Sequence, residues 1–128
     1  MHKMKKILYI VFKYLLGLLF IMGGIAHFTK VEFYLKAMPS YLPFHEIIVY
    51  ASGVFEIVLG LLLLINRTTR KAAFGIILLL IAVFPANVNM YLNYTDFPDM
   101  TETSLLIRLP IQLVLIAWAY VYTKKINL

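Results

Sequence analysis

Apolar residues fill four long stretches of the chain, and polar residues gather in the short links between them. The stretches cover about 7–28, 45–65, 72–92 and 104–123. Each approaches or exceeds the roughly 17 to 20 residues that a helix needs to cross a bilayer. The pattern predicts an all-α, polytopic membrane protein, an antiparallel four-helix transmembrane bundle. Little sequence is left over, so residues 1–128 are expected to form a single transmembrane domain. The longest link, 29–44, mixes Val31, Phe33, Tyr34, Leu35 and Met38 with Lys30, Glu32 and Lys36. That mixture predicts a short amphipathic interfacial segment between the first two spans, ended by Pro39 and Pro43 and placed to cap the outer mouth. The link 93–103 is acidic and polar and reads as an outer loop, with Thr103 or Ser104 as the cap of the fourth span. Pro85 is expected to kink the third.

Composition supports lipid as the solvent. The chain is 62% hydrophobic and 14% charged, where a soluble domain carries about 25% charged residues. The absence of cysteine excludes disulfides, thiolate metal sites and iron–sulfur ligation within this chain. A net charge of +6 would suit nucleic acid, but the basic residues sit at span ends. Lys3, Lys5, Lys6, Arg67, Arg70, Lys71, Lys124 and Lys125 fall on one side, and Glu32, Glu46, Asp96, Asp99 and Glu102 on the other. The positive-inside rule then places both termini and the 66–71 loop in the cytoplasm. The expected location is the inner (plasma) membrane, with the lipid bilayer as partner and no nucleic acid. The opening MHKMKK and the apolar run behind it resemble a signal peptide. The run is too long for an h-region of about 7 to 15 residues, so it reads as a retained helix.

The polar exceptions inside the spans carry the candidate chemistry. Glu56 lies in the middle of an apolar stretch with no other charge, and Ser52 precedes it by one turn. A charge at that depth costs roughly 2.5 to 3.5 kcal/mol on insertion scales. Its expected partner is Arg108, with Gln112 one turn deeper. Asn87 and Asn89 are two apart, so they cannot share a helical face. His27 lies near the outer end of the first span, in a stripe with Lys13, Gly17, Phe20 and Gly24. Lys13 is expected to snorkel to the headgroups. These residues predict a polar core below the outer surface and an apolar cytoplasmic half. Two readings stand: a satisfied network that fixes helix order, or a small pocket for a polar headgroup, a quinone ring or a small metabolite. No catalytic set appears. His27 and His45 share a depth, but no further ligands support a metal or haem.

The blocks Gly23-Gly24-Ile25-Ala26-His27-Phe28, Met38-Pro39…Leu42-Pro43, Ser52-Gly53-Val54-Phe55-Glu56, Phe84-Pro85-Ala86-Asn87-Val88-Asn89-Met90 and Arg108-Leu109-Pro110-Ile111-Gln112 resemble the DoxX-like family of small four-helix membrane proteins. The resemblance implies that the second-span acid and the fourth-span Arg-x-Pro-x-Gln are signature positions. It also implies association with redox systems, some of them quinone-coupled. The readings that follow are a non-catalytic membrane component that binds a small ligand or lipid and supports a membrane or redox partner protein, or a membrane subunit of a quinone-linked oxidoreductase. A transporter is a third, and would require a homodimer, because one four-helix chain is small for alternating access.

Overall fold

The computed structural model describes residues 2–124 and is all-helical over them. In chain order the helices are α1 (His2–Thr29), α2 (Val31–Ala37), α3 (His45–Leu64), α4 (Thr69–Leu92) and α5 (Glu102–Val121), with a 3-10 turn at Tyr94–Asp96. Four of them are long and apolar enough to cross a membrane: Lys3–Thr29, His45–Leu64, Thr69–Leu92 and Glu102–Val121. Their outward faces carry large apolar side chains, among them Met22, Ile47, Leu78, Leu92 and Val114. Exposed apolar surface of this extent marks a membrane or protein contact face.

The expected elements appear, with shifted ends. The first helix starts at His2, so Lys3, Lys5 and Lys6 belong to it rather than preceding it. Straight-chain lysines favour helix and offer no stop signal. Lys125 lies outside the described residues. The fourth long helix begins at Glu102, and its cap is Thr101 rather than Thr103 or Ser104. The Thr101 hydroxyl accepts from the Ser104 N–H at 3.0 Å, and the Ser104 hydroxyl accepts from the Thr101 N–H at 3.2 Å. Serine thus closes the reciprocal box usually closed by Glu or Gln.

α1 packs chiefly on α3, α3 on α4, and α4 on α5. Glycines set the α1–α3 seam. Gly17 meets Gly60, and seven residues on Gly24 meets Gly53, so the numbering rises along one helix as it falls along the other. A Cβ on Gly60 would lie 2.7 Å from the Gly17 carbonyl oxygen, closer than real atoms pack. Only bare backbone permits this approach.

Two apolar clusters hold the ends. Leu16, Phe20, Leu63, Ala72, Ala73, Ile76, Leu80, Ala119 and Tyr122 pack together toward the chain termini. Ala37, Met90, Phe97 and Leu105 pack at the end that carries α2. The terminal half is therefore apolar inside, as expected, but it finishes in a polar belt that was not. Lys13 does not snorkel: it is 4% exposed, and its ammonium donates to Asn66 Oδ1 at 2.9 Å. Thr68 and Thr69 donate to the Leu62 and Leu63 carbonyls that α3 leaves open. Arg70 Nε donates to the Thr123 carbonyl at 3.0 Å.

Candidate functional site

A cavity of about 500 Å³ lies between the two apolar clusters, bordered by Phe20 and Leu80 of one and Ala37 and Met90 of the other. All five helices contribute to its wall. Most of the lining is apolar, and six polar side chains expected from sequence converge on it: His27, Ser52, Glu56, Asn87, Arg108 and Gln112. Asn89, expected with them, does not line it.

Glu56 pairs with His27, not with Arg108. His27 Nδ1 lies 3.0 Å from Glu56 Oε2 and 2.8 Å from the Gly23 carbonyl. A ring nitrogen that faces a carbonyl and a carboxylate must donate, so Nδ1 carries the hydrogen. Counting from the Gly24–Gly53 level, the two Cα atoms stand about 9 Å apart along the helix axes. Helical side chains lean toward their own N-terminus. Given the α1–α3 register, His27 and Glu56 lean toward each other and close that gap. Gly23 completes the arrangement, because a Cβ there would sit 3.1 Å from Glu56 Oε1. The missing side chain leaves the space that the carboxylate occupies.

Tyr34 of α2 stacks on the free face of the imidazole, with ring centroids 3.9 Å apart and planes 20° apart. Burial pushes the Tyr34 phenol above its ordinary value; the Glu56 charge adds to this, and Arg108 opposes it. Tyr34 thus lies within reach of both charges and stays a neutral donor. Sequence reasoning placed Tyr34 only in the amphipathic interfacial segment and missed this role. The available signal was the spacing of Phe33, Tyr34 and Ala37, three positions on one face of a short helix.

Arg108 stands on the wall without a carboxylate. Its guanidinium carbon lies 5.9 Å from the Phe33 ring centroid, and no acid lies within 4.0 Å of it among the described residues. The expected pair with Glu56 does not form: His27 lies 3.0 Å from that carboxylate, and Arg108 lies beyond 4.0 Å.

Gln112 is 2% exposed and fully engaged. Its Nε2 donates to the Leu80 carbonyl, and its Oε1 accepts from Asn87 Nδ2. This joins α4 to α5 at the cavity wall. The two asparagines diverge as their spacing requires. Asn89 Nδ2 donates instead to the Ala37 and Met38 carbonyls, at 3.0 and 3.3 Å, and ties the end of α2 to α4. His45 Nε2 contacts the Pro39 carbonyl at 3.1 Å, which fixes the link behind α2. His27 and His45 therefore serve different partners.

A family model described as Domain of unknown function (DUF8561) matches residues 16–123. No curated protein and no solved structure matches the chain.

Proposed function

The chain belongs to the DUF8561 family, whose description assigns no activity, and on that premise we propose that it is a membrane protein that binds a small ligand or lipid and supports a partner protein without catalysing a reaction itself. The observation that carries this reading is the cavity: about 500 Å³, largely apolar, with a few convergent polar groups. Ligand sites have this composition and size. A helix bundle that needed Glu56 and Gln112 only as glue would close around them. Here polar groups with capacity to spare face an open volume. Arg108 has no acid, and His27 Nε2 makes no hydrogen bond to protein among the described residues.

In this reading the four long helices form an antiparallel transmembrane bundle, a single domain with α2 lying at the outer interface. The excess of Lys and Arg at the terminal end supports an orientation with both termini in the cytoplasm and the cavity toward the outer leaflet of the inner membrane. The likeness to DoxX-like proteins supports a redox-linked partner. One observation favours the alternative, a quinone-linked oxidoreductase subunit: the His27–Glu56 hydrogen bond on the cavity wall is a route for exchanging a proton with a bound ring.

The test is mass spectrometry of protein extracted gently in lipid, comparing wild type with Ser52→Phe, which fills the cavity from α3. A stoichiometric small molecule or lipid that the variant loses supports the reading, and its identity separates quinone from other ligands. Equal ligand content in a folded Ser52→Phe protein would refute it.

A further inference from the structure

We infer that the cavity selects an amphiphile with an oxyanion head, which Arg108 grips beside Tyr34; this rests on the ligand-binding reading above. The argument is a charge balance. Glu56 is the one carboxylate on the cavity wall, and His27 already engages it at 3.0 Å. Arg108 is the one permanent cation there, half-buried and without an acid within 4.0 Å among the described residues. A guanidinium stays charged at any physiological pH and offers five N–H donors. In this wall none of them has a protein acceptor among the described residues. Its nitrogens face the open cavity rather than being sealed in protein, so their acceptor must come from whatever fills that cavity. The guanidinium carbon lies 5.9 Å from the Phe33 ring centroid, so Phe33 offers the charge a π face and leaves the N–H edge without an oxygen. A planar pair of oxygens meets that edge with two parallel hydrogen bonds.

A neutral ring carbonyl satisfies one donor and leaves the charge. A carboxylate or phosphate satisfies two and cancels it. The Tyr34 hydroxyl, stacked in place against His27, adds a neutral donor. The rest of the ligand must be apolar. Between Arg108 and Leu115 the wall descends about 10 Å, past Ile111 and toward Phe20, Leu79 and Leu80. Gln112 spends its oxygen on Asn87 Nδ2 and its nitrogen on the Leu80 carbonyl, so it asks little of a hydrocarbon tail.

The experiment uses the full chain in lipid nanodiscs and measures equilibrium binding of decanoate, decanol, decylamine and inorganic phosphate against empty nanodiscs. Decanoate should bind at least about tenfold more tightly than decanol and more tightly than decylamine, since hydrogen bonds to charged groups are worth that much. Arg108→Gln should remove the preference for decanoate over decanol, and Arg108→Lys should keep part of it. If Arg108→Gln does not fold, the ligand series on wild type and the Lys variant decide. Equal binding of decanoate and decanol, or an unchanged preference in Arg108→Gln, overturns the oxyanion inference and leaves the cavity reading standing. Phosphate binding as tightly as decanoate overturns the tail and points to a free anion. No binding of any probe, together with no co-extracted ligand, overturns both.

Discussion

Gly24→Ala tests whether the α1–α3 seam is set by bare backbone. A Cβ at this position would lie 2.5 Å from the Gly53 carbonyl oxygen, 2.6 Å from Ile57 Cγ1 and 3.0 Å from the Ile57 nitrogen. Two of these three atoms are backbone, so no rotamer change relieves them. The helices must part until the first distance grows from 2.5 Å to about 3.4 Å, where ordinary contact begins. Overpacking of this kind costs about 1–3 kcal/mol. Alanine recovers about 0.8–1.0 kcal/mol of helix propensity, leaving a net loss of roughly 0–2 kcal/mol, expected toward the upper end because two backbone atoms are met. Gly75→Ala is the control. Its Cβ would meet Leu59 Cδ2 at 2.6 Å and nothing else closer than 3.4 Å. That atom is the far end of a flexible side chain and can turn away, so propensity should win and the variant should match or exceed wild type. Both are measured by reversible unfolding in mixed micelles with increasing denaturing detergent. A Gly24→Ala protein as stable as wild type, or a Gly75→Ala protein that loses as much, would refute the reasoning.

Three further outcomes are expected. His27→Leu strands the Glu56 carboxylate, whose side chain is 19% exposed, and should cost about 3–5 kcal/mol; Glu56→Gln should cost less because an acceptor for Nδ1 remains, and the doubly substituted His27→Leu/Glu56→Leu protein should regain most of the loss in the same unfolding assay. Asn89→Ala frees the Ala37 and Met38 carbonyls, so stability should fall by about 1–2 kcal/mol and amide hydrogen exchange should speed up over 33–38, with no change at the terminal end. Phe44 is the one non-glycine residue with positive φ among those described, at 55°; thermal denaturation should show Phe44→Gly gaining up to about 1–2 kcal/mol and a β-branched Phe44→Val losing stability.

The four long helices were legible because lipid-facing apolar runs need no tertiary information to recognise. The polar core was legible for the same reason: Glu56, His27, Arg108, Gln112 and Asn87 stand out where every neighbour is apolar. Their pairing was not. Depth counted in residues puts Glu56 and His27 far apart and Arg108 nearer, but side chains lean toward their own helix start, and that lean decides which groups meet. Lys13 misled for a related reason. Its position near a span end suits snorkelling, and only the fold brings Asn66 of the following hairpin over it. Tyr34 stayed hidden because its role depends on α2 folding across the bundle, which Asn89 and His45 enforce from outside that segment.

Gly23 has a consequence for how this family can vary. Its absent side chain is the socket for the Glu56 carboxylate, and its carbonyl shares the His27 hydrogen. A Cβ at 23 would stand 3.1 Å from Glu56 Oε1, so the carboxylate must give by a few tenths of an ångström and a bulkier side chain must displace it; without the acid, a histidine at 27 loses its carboxylate partner. Positions 23, 27 and 56 should therefore drift through evolution as one unit: members that keep Gly and His keep the acid, and those that fill position 23 have abandoned all three.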